Sequence, residues 1–238
     1  HKLIARSGVA SRRRAEELIR QGRVRVDGAI ARIGQTIDPV LERVEVDGIP
    51  LPLAPGLVYR LLNKPPGILS TAADPHDRRT VLDLVPPEPR VFPAGRLDRD
   101  TEGLLLLTND GELAHLVMHP RFGITKTYLA RVTGTPTREV IRQLEEGVAI
   151  GDDRPAAAAG VRIIARHGPE TAVEIVMTEG RKREVRRMFD AVGHPVARLI
   201  RTAIGPVRDQ HLKPGEWRDL TIDEIRALYA AAGDASDV

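Results

Sequence analysis

Cysteine is absent from the 238 residues. Its absence excludes disulfide scaffolds, Cys-based zinc sites, iron–sulfur ligation and thiol nucleophiles together. It fits a reducing compartment, and a cytoplasmic location is expected. Aromatic residues make up only 3% of the chain: Trp217, Tyr59, Tyr128, Tyr229, Phe92, Phe122 and Phe189. That scarcity speaks against an aromatic stacking platform for nucleic acid. No apolar run approaches the roughly 20 residues of a membrane span, and no signal peptide is visible in a chain that begins at His1. No membrane partner is expected. A Gly-x-Gly-x-x-Gly opening a helix and a phosphate-cradling P-loop are both missing, so a nucleotide cofactor has no support. His115 and His119 stand at i, i+4, but no Glu lies between them, no third ligand is evident and Pro120 ends the helix. The pair reads as structural or RNA-facing, and no metal is expected.

What remains is ordinary globular composition, 42% hydrophobic and 29% charged, at a length that fits one large or two modest domains. The net charge of +3 conceals an uneven distribution. Residues 1–32 carry 9 basic and 3 acidic side chains, and residues 178–208 carry 8 and 3. The blocks 33–177 and 209–238 are each net −4. Only five of the 36 basic residues are Lys. Two concentrated basic segments far apart in sequence are the electrostatic footprint of a polyanion partner. A solvated helix face in an Arg-rich chain accounts equally well for one cluster alone, less well for two.

Local patterns divide the chain. Lys2–Arg6 reads as a short helix stopped by Gly8. Ser11 is an N-cap for a helix over about Arg12–Gln21, with Ala15, Leu18 and Ile19 inward. Arg23-Val24-Arg25-Val26 alternates as a half-buried strand and meets Asp27-Gly28, a turn signal repeated at Val44-Glu45-Val46-Asp47-Gly48. Residues 1–48 therefore form a small unit. Three prolines in Ile49–Gly56 mark 49–56 as a linker. From 57 to 238 strands at 57–62, 104–107, 126–132, 172–177 and 195–204 mix with helices at 112–118, 137–146 and 183–192. Thr221-Ile222-Asp223-Glu224 is a capping box for a last helix to about Ala232, followed by a frayed tail. The mixture predicts an α+β fold with a mainly antiparallel sheet.

One segment stands out for chemistry. In Arg96–Gly103, Asp98, Asp100 and Glu102 alternate with Arg96 and Arg99, and four leucines follow at once. Charged groups beside a buried strand are paired or functional. They stabilise a turn at a strand end, or they hold a carboxylate rigidly as nucleophile or base. Downstream, Val185, Met188 and Phe189 face inward at helical spacing. Arg181, Lys182, Arg183, Arg186 and Arg187 are then divided between surface and cleft, where a guanidinium could fix a carboxylate through a bidentate pair.

The run Gly95-Arg96-Leu97-Asp98-Arg99-Asp100-Thr101-Glu102-Gly103 with Leu104–Leu107 and Thr108-Asn109-Asp110-Gly111 resembles the signature of the RsuA/RluB family of ribosomal RNA pseudouridine synthases. Asn63-Lys64-Pro65-Pro66-Gly67, Lys126-Thr127-Tyr128, Glu179–Met188 and Gly193-His194-Pro195 agree in order, and Lys2–Gly28 resembles the S-four RNA-binding domain common at the front of that family. The resemblance implies an enzyme that isomerises a uridine in ribosomal RNA, without cofactor. It implies Asp98 as the essential aspartate, Tyr128 as the ring beneath a flipped uracil, and Arg186 as the partner of Asp98. Arg96 and Lys64 would line the cleft. Where the family often has Asn-Arg-Gln, this chain has Lys182-Arg183-Glu184. Lys2, Arg12, Arg13, Arg14, Arg23, Arg25, Arg181, Lys182 and Arg183 would contact RNA phosphates. The expected partner is ribosomal RNA or a pre-ribosomal particle, met by a monomer. The large-subunit RNA is favoured by Glu184–Met188 and Arg198-Leu199-Ile200-Arg201, with small-subunit RNA as the alternative. Two rival functions are a noncatalytic assembly factor and a glycoside hydrolase pairing Asp98 with Glu102 or Asp100.

Overall fold

The computed structural model describes residues 1–7, 9–37, 42–51, 56–72, 74–76 and 78–233. Gly8 and the tail after 233, which the sequence reads as a helix stop and a frayed end, lie outside the described residues, as do 52–55 of the expected linker.

The N-terminal unit begins with α1 (Lys2–Arg6) and α2 (Arg12–Arg20). Ser11 caps α2 by accepting the Arg14 N–H at 3.3 Å. Strands β1 (Val24–Val26), β2 (Ala29–Ile30), β3 (Val44–Val46) and β4 (Ile49–Pro50) form a sheet in the order β2-β1-β3-β4. Both Asp-Gly turns are tight two-residue connections with positive φ at each residue: 48° and 80° at Asp27-Gly28, 58° and 74° at Asp47-Gly48. Their twist matches that of the flanking strands, which is why the same dipeptide closes both hairpins. The second hairpin corrects the boundary expected at residue 48. Pro50 is tolerated because β4 is an edge strand. Leu51 is buried with Ile4, Leu18, Ile19, Val24 and Val46 in the unit's own core.

The rest of the chain builds a nine-stranded sheet. Its strands are β5 (Tyr59–Lys64), β6 (Phe92–Pro93), β7 (Glu102–Thr108), β8 (Lys126–Thr133), β9 (Gly160–His167), β10 (Glu170–Met177), β11 (Val196–Ile204), β12 (Val207–Arg208) and β13 (Trp217–Asp219). The main path runs β13-β5-β7-β11-β8-β10-β9. Every pairing is antiparallel except β7 with β11. The fold is α+β with a mainly antiparallel sheet.

The four consecutive leucines of β7 are buried because both faces of the sheet are covered. Leu104 and Leu106 join Ala114, Val117, Ile225 and Leu228, contributed by α3 (Gly111–Met118) and α6 (Ile222–Gly233). Leu105 and Leu107 face Val81, Val85, Val91 and Leu97 on the opposite side. A third cluster packs α4 (Arg138–Glu146) and α5 (Glu184–Ala191) onto β8 and β10 around Leu144, Ile175, Met188 and Phe189. Thr221 and Glu224 cap α6 reciprocally, at 2.8 and 3.2 Å. Ile49 packs on the α3–α6 cluster, and Arg43 forms a two-pronged pair with Glu112 at 2.9 and 3.2 Å. These contacts join the N-terminal unit to the larger one.

Candidate functional site

The Asp98–Thr101 turn leads into β7, and Tyr128 stands on β8; the two strands flank β11. Above this junction lies a cavity of about 450 Å³. Arg96, Asp98, Thr101 and Tyr128 line it from the sheet side, with Met177, Val185 and Leu199 as apolar wall and residues 179–184 as the opposite rim. Its volume falls among small-ligand pockets, roughly 300–1,000 Å³.

The turn is held from below through its backbone. Lys64 is completely buried, and its ammonium donates to the carbonyls of Thr101 (2.8 Å), Pro65 (3.0 Å) and Arg99 (3.3 Å). Burial pushes its pKa down to about 8, although Asp100, Glu102 and Asp98 all favour the charged form. Lys64 therefore does not line the cleft, as the sequence suggests, but supports the turn that does. The Ser70 hydroxyl donates to Leu97 O (3.0 Å) and accepts the Leu97 N–H (3.2 Å), and Gly67 N–H donates to Arg99 O at 2.7 Å.

The three carboxylates of the motif have different surroundings. Glu102 is gripped by Arg198 through two contacts of 2.8 Å, which hold its carboxyl below the ordinary value. Asp100 receives Arg183 at 2.9 and 3.1 Å and Arg186 at 3.4 Å. Partial burial pushes the Asp100 carboxyl up, but the Arg183 hydrogen bond with the charges of Arg186 and Arg183 prevails and lowers it. Asp98 is half-buried on the cavity wall; its carbonyl accepts the Thr101 N–H at 3.0 Å, but its carboxylate has no hydrogen bond or ion pair among the described residues. The expected Asp98–Arg186 pair is thus absent. Arg186 lies in the first turn of α5, 7% exposed, and reaches backbone: Asp100 O at 3.1 Å and Val196 O at 3.0 Å. The carboxylate within its reach is that of Asp100. With Asp100 and Glu102 both tied to arginines, the two-carboxylate glycosidase reading loses its second group.

The basic residues also separate into engaged and open. Arg181 is a hub: it meets Glu179 (2.6 Å), Glu184 (3.0 Å) and Asp152 (3.3 Å) and donates to the carbonyls of Arg154 and Pro155 at 2.7 Å. It fixes the rim and has little left for RNA, contrary to expectation. The departure from Gln to Glu at 184 is matched by this ion pair. Burial pushes the Glu184 carboxyl up. Lys182 and Arg183 are exposed at the rim, Arg183 in a left-handed conformation (φ 51°) just before α5. Arg96 is exposed on the cavity wall without a partner among the described residues. In the N-terminal unit Arg23 is tied to Asp47 (2.7 and 2.8 Å), Arg14 to Glu17 (2.6 Å) and Arg25 to Gly28 O (2.7 Å). Lys2, Arg12 and Arg13 are exposed and free of such ties among the described residues.

Sequence reasoning missed Ser70, 27 residues from the leucine it braces, and Thr101, a cavity-lining residue whose buried hydroxyl has no hydrogen-bond partner among the described residues. Ser70 carries no sequence signal; Thr101 lies inside the quoted motif. Among the described residues no cluster of His, Asp and Glu is fit to hold a metal ion, and no helix is long and apolar enough to cross a membrane.

Comparisons with known proteins agree with this layout. Residues 58–191 match the family model of RNA pseudouridylate synthase, and residues 1–39 match the S4 domain. An uncharacterised RNA pseudouridine synthase of Mycobacterium leprae is 46% identical, covering 98% of this chain and 92% of its own. The ribosomal large subunit pseudouridine synthase B of Bacillus subtilis is 42% identical, covering 97% and 95%. A crystal structure of a pseudouridylate synthase superposes with a TM-score of 0.65 at 31% identity, over 95% of this chain and 97% of that one.

Proposed function

The chain belongs to the RNA pseudouridylate synthase family, and from that premise we propose that it isomerises a uridine of large-subunit ribosomal RNA, with Asp98 as the essential carboxylate. The Bacillus subtilis relative, named for the large ribosomal subunit and similar over nearly its whole length, supports that choice of RNA. The protein would act as a cytoplasmic monomer on the RNA or a pre-ribosomal particle.

The reaction neither adds nor removes atoms. The N-glycosidic bond from the sugar to N1 breaks, the uracil turns while held, a carbon–carbon bond forms from ring C5 to the same sugar carbon, and the C5 proton is lost while N1 gains one. The target nucleotide must first leave its stack, at a cost of a few kcal/mol, and be received in a pocket. Tyr128 offers the receiving ring, and Met177, Val185 and Leu199 exclude water around it. Asp98 acts on the sugar or the base as the bond breaks and re-forms. Arg96 and Lys182, exposed at the cavity, would meet the adjoining phosphates. Arg12, Arg13 and Lys2 give the N-terminal unit its grip on structured RNA.

The observation that carries the reading is the contrast among the carboxylates. Two are bound to arginines, while the Asp98 carboxylate lines the cavity with Tyr128 and has no partner among the described residues, on a turn whose backbone is anchored by Lys64 and Ser70. Asp98→Asn is nearly isosteric and tests it directly. Pseudouridine formation in transcribed large-subunit RNA should fall by at least a thousandfold while RNA binding persists. Conversion near the wild-type rate would refute the assignment. Binding without conversion by the wild-type chain would favour a noncatalytic assembly factor.

A further inference from the structure

Of the few aromatic side chains, Tyr59, Tyr229 and Phe189 are buried, Tyr128 belongs to the cavity, and Trp217 is half-buried beneath Arg60. Ring–ring contacts among the described residues nevertheless gather at one surface site. His115 and His119 have centroids 5.3 Å apart, and Phe122 lies 5.4 Å from His115 and 5.9 Å from His119. The Arg121 guanidinium sits 4.4 Å from the Phe122 centroid. His115, Met118, His119 and Arg121 are exposed, whereas Phe122 is rooted in the core beneath α3. His119 Nδ1 accepts the Arg121 N–H at 3.2 Å. That bond places the ring proton on Nε2, an outward donor.

The site also has a direction. Met118 lies against Gly95, its Cγ 3.7 Å from the position of a Cβ there, and the next residue, Arg96, lines the cavity. At the other end of α3, Glu112 shares a face with His115 and is held by Arg43 of the N-terminal unit. Glu112 is the helix's one acidic side chain, and Arg43 offsets its charge. The eight-residue helix spans about 12 Å, the rise of about three stacked nucleotides.

We propose that the outer face of α3 and the turn after it form a nucleotide-stacking platform for the unpaired RNA strand between the N-terminal unit and the cavity. Bases stack on the exposed His115 and His119 rings, which Phe122 braces from the core side, and Arg121 takes a phosphate. Imidazole rings supply the stacking surface that the Phe, Tyr and Trp count does not reveal. The proposal rests on the reading of the chain as an RNA isomerase.

The test uses the full chain and large-subunit ribosomal RNA transcribed in vitro. His115→Ala should weaken RNA binding about tenfold, the scale of losing one base–ring stack. The loss should fall on KM more than on kcat. His115→Phe should restore binding to within about threefold, which a merely structural histidine would not require. Arg121→Ala should weaken binding and reduce the slope of log K against log salt by about one. Phe122 is left intact because it packs in the core. Wild-type affinity in His115→Ala, or no rescue by Phe, overturns the platform while turnover by the wild-type chain still upholds the isomerase reading. Absence of both binding and turnover in the wild-type chain refutes that reading and removes the platform with it.

Discussion

Replacing Gly103 by Ala should part the sheet at its narrowest seam. The backbone there has φ +107°, and an added Cβ would stand 2.2 Å from Arg201 O, 2.6 Å from Arg201 N and 2.9 Å from Arg201 C. These are backbone atoms of β11, so no side chain can swing aside. The β7–β11 ladder comprises two residue pairs, Ile200 with Glu102 and Arg201 with Gly103. An ordinary contact near 3.4 Å would require the strands to separate by roughly 1 Å, more than a ladder normally spaced about 4.8 Å tolerates. Overpacking of this kind costs about 1–3 kcal/mol and the unfavourable backbone region about 1–3 kcal/mol more. The expected loss is about 4 kcal/mol, a fall in Tm of about 8–16 °C at this chain length. Gly215→Ala is the control: its φ is +87° with no atom within 4 Å, so it carries the backbone cost alone. Thermal denaturation of both variants separates the two contributions. Asp98 enters from the turn before β7 and Tyr128 from β8, so turnover should fall at least tenfold even where the variant is folded. A Gly103→Ala protein melting within 3 °C of the wild type, or no lower than Gly215→Ala, would refute the argument.

Lys64 gives a pH prediction. Its folded pKa, about 8, lies below the ordinary value of 10.5 because of burial. The unfolded chain therefore binds more protons between those values, and stability rises with pH across that window. Below pH 8 the burial penalty is fully present. Relative to Lys64→Met, the wild type should gain up to about 3 kcal/mol between pH 7.5 and 10.5 in urea titrations; parallel curves would refute the buried-ammonium account. In the N-terminal unit, Arg12→Ala/Arg13→Ala should reduce the slope of log K against log salt for RNA binding by about two, whereas Arg23→Ala, tied to Asp47, should reduce it by less than one. A reduction of a full unit in Arg23→Ala would show that the Arg23–Asp47 pair opens freely to RNA.

Local signals were legible in the sequence wherever the cause is local. Asp27-Gly28 and Asp47-Gly48 close hairpins because both need positive φ at consecutive residues. Ser11 and Thr221 cap helices through backbone groups three positions away. The run Leu104–Leu107 announces a strand covered on both faces. Edge strands were harder: β9 at 160–167 and the three-residue β13 have weak or short patterns, and their partners are set by topology. Side-chain roles depending on distant backbone were not legible at all. Nothing at Lys64 reveals that its acceptors are carbonyls 35 and 37 residues away, nor does Arg23 announce Asp47. The basic clusters show the same limit. Their charge is readable as a sum, but Arg181, Arg14 and Arg23 are committed to carboxylates, and the residues open to a polyanion are fewer than the count suggests.

The displacement of Arg186 from Asp98 to Asp100 bears on how such a turn is built. An arginine paired directly with Asp98 would have to be withdrawn, or share the carboxylate, whenever substrate entered. In this structure the cations act on the backbone instead: Lys64 on Thr101 O and Arg99 O, Arg186 on Asp100 O. Asp100 and Glu102 absorb Arg183 and Arg198, which would otherwise compete for the cavity carboxylate. The alternation of charge in Arg96–Gly103 thus has two consequences at once. Paired groups fix the turn against β11 and α5, and the unpaired carboxylate is presented without reorganisation. Preorganisation of this kind matters because loss of about 1 Å in positioning is enough to cost a hundredfold in rate. It follows that Asp98 should be the residue whose loss leaves the fold intact, whereas removal of its paired neighbours Asp100 and Glu102 should disturb structure and turnover together.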